Sequence, residues 1–386
     1  MDRRRLAAER QPQGETIVNK GIDRRNFLGM STAVLATAAV GGLGGSRGAF
    51  AAAIDAPVVD KLSIRVLVDS SFDLFFRPVQ LNGVAVQPMP RMADFRRTLH
   101  NEWGLSLWLE SQRASDQRTL MLDYGYSPNV LYNNMELIGV DPRKIDALIV
   151  SHGHYDHFGG LMGFLDKFRD MLPADVKLYA GGEDNFCHRV TGAPGQFSDF
   201  GTLDRRELAA KKVTTVLAES PVVIAGHAFT TGKIKRNSIE RVLPNSSVEF
   251  GMKDGLGCNP AQYLPAGMEG RIVPDEHLHE HATCFNVKGR GLVVISSCGH
   301  VGIVNSVRQA QEVSGVEKVH AIVGGFHLGP APRDYLAQVV GEIRKLKPDV
   351  LIPMHCSGLN FVQEARAQMP ENVLVTTTGS RITFGA

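Results

Sequence analysis

Ser151-His152-Gly153-His154-Tyr155-Asp156-His157 places three histidines and a carboxylate within seven residues. Upstream, Asp146-Ala147-Leu148-Ile149-Val150 is a short apolar run of the kind that forms a strand buried on both faces. Downstream, Gly159 and Gly160 lead into Leu161–Leu172, whose apolar spacing is that of an amphipathic helix. The polar run therefore sits on a strand-to-helix loop, where a rigid scaffold can hold reactive groups in the open. In extended chain, residues two apart point the same way, so His152 and His154 can reach one metal ion. Asp156 and His157 come where the chain turns into the helix. They can hold a second ion about 3.5–4 Å from the first. Imidazole together with carboxylate suits zinc, manganese or iron.

Working outward, three more apolar runs end in a histidine. Gly291-Leu292-Val293-Val294-Ile295-Ser296 leads to Ser297-Cys298-Gly299-His300. Ala321-Ile322-Val323-Gly324-Gly325-Phe326 leads to His327, and Val350-Leu351-Ile352-Pro353-Met354 leads to His355-Cys356. Four strand ends thus each deliver a histidine, as a site along one edge of a sheet sandwich requires. His279 and His281 precede a further strand, Thr283 to Val287.

The HGHYDH run resembles the signature motif of the metallo-β-lactamase superfamily. The resemblance implies an α/β (α+β) fold, a four-layer αββα metallo-β-lactamase-type sandwich, with a metal site at one edge. It implies His355 as the last metal histidine, and it puts Cys298 where the superfamily carries a bridging aspartate. His300, two residues on, can supply the same region, and His281 lies near the place of the superfamily's middle histidine. The middle ligand positions are therefore open among His281, Cys298 and His300. Further motifs in the same order, among them Asn101-Glu102-Trp103-Gly104, Leu122-Asp123-Tyr124-Gly125, Gly324-Gly325-Phe326-His327 and His355-Cys356, are similar to the branch of dihydropterin-ribofuranosyl-aminobenzene-phosphate synthase-like metallohydrolases. By that analogy Asp123 lies under the metal loop and orients ligands. Cys356 reads as a small buried residue.

At the N-terminus, Asp23-Arg24-Arg25-Asn26-Phe27-Leu28 resembles a twin-arginine export motif. A weakly apolar stretch follows to about Leu43, short for a membrane span, and Ala49-Phe50-Ala51 is a small-x-small cleavage signal. Residues 1–51 are expected to be a removable signal and 52–386 a single metallo-β-lactamase-fold domain. The export machinery is then a partner, no stable membrane anchor is expected, and the location is a bacterial periplasm. The first 51 residues hold eight Lys/Arg and four Asp/Glu, which leaves 34 basic against 36 acidic side chains. No basic patch for nucleic acid is evident. Five cysteines, at 187, 258, 284, 298 and 356, are odd in number and irregular in spacing, so no disulfide framework is implied.

The apolar periodicity predicts strands at 62–69, 105–111, 119–123, 146–150, 177–180, 221–225, 228–231, 283–287, 292–296, 320–324 and 350–353. It predicts helices near 128–138, 161–172, 303–313, 334–345 and 361–369. Two insertions, near 184–206 and 237–281, show little periodicity and read as lids or binding loops that shape a pocket. Phe72, Phe75 and Phe76 either cover the site or pack under a loop.

The expected chemistry is hydrolysis of an ester, lactone, amide or phosphoester small molecule, assisted by two divalent metal ions, zinc foremost with manganese or iron as alternatives. The metal set is His152, His154, Asp156, His157, His300, His355 and Cys298. Asp156 and His327 are the catalytic candidates, Asp156 to position or deprotonate water and His327, with His300, to stabilise developing charge. Arg333 could select phosphate. Two other readings are an iron-dependent, persulfide-dioxygenase-like oxidoreductase on the same fold and a non-catalytic periplasmic metal or ligand binder. Oligomeric state is not indicated by the sequence.

Overall fold

Ala147, Leu148, Ile149 and Val150 are all buried, and they alternate between two different cores. Ala147 and Ile149 face a layer between two sheets, and Leu148 and Val150 face a layer of helices. A strand with both faces covered carries no polar alternation, which is why this run is continuously apolar. The same division holds in Gly291–Ser296, where Val293 and Ile295 face the inter-sheet core and Leu292 and Val294 face helices.

This computed structural model describes residues 53–259 and 267–385. The expected signal segment, 1–51, lies outside the described residues, as does 260–266 within the second insertion. Among the described residues no helix is long and apolar enough to cross a membrane.

One sheet has nine strands, in the order Thr214–Leu217, Lys177–Ala180, Ala147–Val150, Asp116–Leu122, Ser106–Arg113, Lys61–Val68, Arg381–Phe384, Val84–Gln87 and Val79–Leu81. The second lines up Val223–Ile224, Ala228–Thr230, Thr283–Val287, Gly291–Ser296, Val319–Gly324 and Val350–Pro353, with Val58–Val59 paired to Thr283–Val287. Leu107, Leu109, Leu122 and Ile149 of the first meet Phe285, Val293, Val323 and Ile352 of the second. Outside the first sheet lie the helices Pro128–Ile138 and Leu161–Phe168. Outside the second lie Ile303–Ser314, Arg333–Leu346 and Leu359–Gln368. The layers run helix, sheet, sheet, helix, as the signature run implies.

The insertions differ from expectation. They are not two separate loops. His188–Ala193 and Gln196–Asp199 from the first join Ser247–Glu249 and Ile272–Pro274 from the second in one four-stranded antiparallel sheet. These strands are short and partly exposed on both sides, so they lack the alternation that would have announced them. A disulfide, Cys187–Cys258, ties the two insertions together across 71 residues. An odd cysteine count said only that one thiol must stay free; three do, Cys284, Cys298 and Cys356, all buried. Arg189, fully buried beside the disulfide, donates from Nε to Asp275 at 2.7 Å and from Nη1 to the Cys187 carbonyl at 3.0 Å. The phenylalanines of 72–76 divide: Phe76 packs partly against the inter-sheet core, and Phe75 is 84% exposed.

Candidate metal centre

The metal-motif loop leaves Ala147–Val150 at its C-terminal end, and the loops bearing Cys298, His327 and His355 leave parallel strands of the other sheet at the same kind of end. Side chains beyond the carboxyl ends of parallel strands are where open α/β sheets build sites. Gly153 is required here, because a Cβ would strike the Arg189 guanidinium and the Asn185 carbonyl. The inserted sheet thus presses directly on the histidine loop.

Four histidines share one orientation. His157 Nδ1 pairs with Asp123 Oδ2 at 2.7 Å, His152 Nδ1 with Ser151 Oγ at 3.0 Å and His355 Nδ1 with Ser70 Oγ at 3.1 Å. His300 Nδ1 meets the Asn245 side-chain amide at 2.9 Å. The Nε2 edges point inward. His152 Nε2 and His300 Nε2 are buried with no hydrogen-bond partner, as is Asp156 Oδ1. His157 Nε2 lies 3.3 Å from His355 Nε2, and Asp156 Oδ2 lies 3.2 Å from His355 Nε2 and 3.7 Å from His157 Nε2. One nitrogen held by an outer partner and the other left facing its neighbours is the arrangement of metal-bound imidazole. His154 is turned the other way, its Nε2 on Ser246 Oγ at 2.8 Å.

Among the described residues, donor atoms cluster in four overlapping groups: His152 with Cys298 and His300, His154 with His277 and His300, His157 with Cys298 and His355, and Cys298 with His327 and Cys356. Within each group the atoms lie within 4.8 Å of one another. Burial pushes His152, His154 and His300 well below the usual imidazole range, and it takes His277 down to about 3. All four are therefore neutral at ordinary pH, with ring nitrogens able to act as donors to a cation. Burial acts to raise the Asp156 carboxyl, but His157 and His355 outweigh it and hold the group well below the carboxylate range. A buried set of neutral imidazoles around an ionised carboxylate, with unpartnered Nε2 and Oδ1 atoms, fits divalent cations.

The structure brings together His152, His154, Asp156, His157, His300, His355 and Cys298, the whole metal set expected from sequence. His327 lines the same cleft, its ring 4.2 Å from His300. His281 lies outside these groups: its Nε2 bonds the Val150 carbonyl at 3.2 Å, where it holds the start of the loop. His279 is fully used, accepting from the Gly153 amide at 2.9 Å and meeting Asp184 at 3.1 Å. Arg333 is exposed at its helix start and is not among the residues lining the cleft. Cys356 does more than fill space: its Sγ lies 3.0 Å from Cys298 Sγ.

Sequence reasoning missed His277, stacked on His300 at 4.0 Å. His277, His279 and His281 alternate, so extended chain would point all three the same way. A turn that closes with the Glu280 amide on the His277 carbonyl, and a positive φ of 50° at His277, break that alternation. It also missed Asn245 and Ser246, which carry no signature, and Trp103, whose ring lies 4.9 Å from His355. Trp103 and Phe200 line a cleft of about 150 Å³ that opens onto Asp156, His154 and His355. Asp123, as the analogy implied, sits beneath: it accepts from the Ser151 amide at 2.8 Å and orients His157.

Fold and centre together define a class: an αββα sandwich whose strand ends assemble a His/Asp/Cys cluster able to hold metal ions. The sequence model of the metallo-β-lactamase superfamily matches residues 108–185, the segment that holds the signature run. The chain resembles that superfamily and its dihydropterin-ribofuranosyl-aminobenzene-phosphate synthase type. It is 26% identical over 270 residues to the 7,8-dihydropterin-6-methyl-4-(β-D-ribofuranosyl)-aminobenzene-5′-phosphate synthase of Methanocaldococcus jannaschii, covering 69% of this chain and 84% of that one. A short segment, 63 residues, is 30% identical to a hydroxyacylglutathione hydrolase of Hydrogenovibrio crunogenus, covering 16% of this chain and 22% of that one. Among solved structures, Tm1679, a metal-dependent hydrolase of the β-lactamase superfamily, aligns with a TM-score of 0.59 at 20% identity over 83% of this chain and 98% of its own.

Proposed function

We propose that this chain is an exported, metal-dependent hydrolase of a small ester, lactone or amide. The observation that carries this reading is the set of inward, unpartnered donors, His152 Nε2, His300 Nε2 and Asp156 Oδ1, backed by oriented outer partners. Two divalent ions are expected, one held by His152, His154 and His300 with His277 at hand, the other by Asp156, His157 and His355 with Cys298. Ions held there make water a stronger acid and polarise a carbonyl oxygen.

The chain's own residues do the rest. Asp156, ionised and with Oδ1 lacking a hydrogen-bond partner, would position water that enters the cleft rather than take its proton. His327 lines the same space and is the candidate to act on developing charge or on the leaving group. Trp103 and Phe200 give the entrance aromatic walls. No Lys or Arg lines the cleft among the described residues, so an uncharged acyl substrate suits it better than the phosphorylated compound in the name of the M. jannaschii relative.

The test is elemental analysis of the mature protein purified without added metal, followed by turnover on lactones, aryl esters and phosphodiesters. Two zinc or manganese equivalents with turnover that disappears in Asp156→Ala supports the reading. One iron equivalent with oxygen consumption favours the oxidoreductase alternative, which the thiols of Cys298 and Cys356 beside the histidines make the second reading. Export is tested by fractionating cells that carry Arg24→Lys and Arg25→Lys together; mature protein should then stay in the cytoplasm.

A further inference from the structure

Three neighbouring parallel strands end level with one another. Ser296 pairs with Gly324, and Gly324 pairs with Pro353. Cys298 stands two residues past the first strand, His327 three past the second, and Cys356 three past the third. The register therefore delivers two sulfurs and an imidazole to one point. Cys298 Sγ and Cys356 Sγ are 3.0 Å apart, and His327 Nδ1 is 3.6 Å from Cys298 Sγ. The His327 amide donates to Cys356 Sγ at 3.2 Å, and the three donor atoms lie within 4.8 Å of one another. Gly325 makes the room: a Cβ there would come to 2.8 Å from Cys356 Sγ. His327 holds a left-handed backbone, φ 47°, which a histidine adopts only when its surroundings impose it. All three residues line the cleft, so the point is open to a solute.

We propose that Cys298, Cys356 and His327 form a separate sulfur-rich position for a thiophilic divalent cation beside the histidine centre. Two thiolates and one imidazole are a soft donor set, unlike the imidazole and carboxylate groups around it. Binding holds both sulfurs as thiolates, any S–H proton going to solvent, so no oxidant is consumed. The Cys298 sulfur also belongs to the His157–His355 group, so it can bridge this position to the histidine centre. The position stands on its own donors and holds whether or not the chain is a hydrolase.

The probe is cadmium(II), added to the mature full-length protein. Its thiolate charge-transfer absorption in the near ultraviolet reports sulfur ligation, and elemental analysis reports equivalents bound. In parallel, alkylatable thiols are counted in denaturant. The expected result is a two-thiolate band that roughly halves in Cys356→Ser with the loss of one cadmium equivalent, and three alkylatable thiols, Cys284, Cys298 and Cys356. His327→Ala, which removes a half-buried ring rather than a core group, should weaken cadmium binding at this position by at least about tenfold while His152→Ala leaves the band in place. An unchanged band and stoichiometry in Cys356→Ser overturns the proposal. So does a single alkylatable thiol, which would mean that Cys298 and Cys356 are bonded to each other.

Discussion

The two-sheet scaffold and the small inserted sheet both reach the metal centre, but they contribute different things. The scaffold supplies donors from strand ends: His152, His154, Asp156 and His157 after one strand, and Cys298, His300 and His355 after two others. The inserted segments supply Asn245 and Ser246, which hold His300 and His154, along with His277 and the cleft wall Phe200. Strand ends fix a position to within the stiffness of a sheet; an inserted sheet can vary while the donors stay put. The difference points to a division of labour: strand ends carry most of the candidate donors, and the inserted segments hold and wall them.

The comparison can be broken most sharply at the scaffold. Asp156→Ala should lower metal affinity by at least about 100-fold, beyond the range typical of outer-partner changes, and abolish turnover. Titration with a chromogenic chelator measures it, and near-normal affinity would mean the strand ends are not the donors. Next, replacing both Cys187 and Cys258 by serine should cost about 2–4 kcal/mol in urea unfolding, the usual worth of a disulfide closing a long loop. Metal stoichiometry should survive, because none of the scaffold donors depends on that bond; its loss would join the two regions. Asp123→Asn should weaken metal binding about 10–100-fold through His157. Asn245→Ala, its counterpart in the inserted region, should cost about tenfold or less in affinity while raising KM for the substrate more than it lowers kcat. If the two variants behave alike, the division of labour is wrong.

The smallest effect contrasts two histidines in metal-free protein. His277, pushed down to about 3 by burial, must stay neutral when folded, whereas the unfolded side chain protonates near 6.5. Its contribution is present above 6.5 and is lost as pH falls below it. His355 goes the other way: burial opposes its charge, but Cys356 and Asp156 outweigh burial and raise it to about 9. Its contribution is present below 6.5 and is lost as pH rises through 9. Metal-free protein should therefore be most stable near neutral pH, where the two losses cross, with each depressed histidine costing less than about 1 kcal/mol between pH 7 and pH 6. Urea midpoints across pH check this, and a midpoint that rises steadily on acidification would contradict the assignment of neutral imidazoles.

The scaffold was legible because its strands are covered on both faces. Lys177–Ala180, Thr283–Val287 and Val350–Pro353 fall where apolar runs predict them, and Pro128–Ile138 matches its predicted bounds. Arg381–Phe384 was overlooked, since four residues with alternating burial give little signal until Lys61–Val68 and Val84–Gln87 close on either side. The hairpin Val79–Leu81 to Val84–Gln87 turns on Asn82-Gly83, both at positive φ, a readable signal that was passed over. At the site, spacing alone placed the donors of the HGHYDH run. It left the middle positions open among His281, Cys298 and His300, and it did not reach His277, whose placement depends on a local reversal of the backbone.

Asp123, His277, His327 and His355 share one property: each is a non-glycine residue at φ between 46° and 59°. An alanine at any of these positions inherits the contorted backbone and loses the functional group. A glycine loses the same group and sheds the contortion. The gap in stability between His355→Gly and His355→Ala, on the order of 1 kcal/mol, therefore weighs the elastic energy the fold spends to aim a single imidazole against the extra freedom glycine gives the unfolded chain.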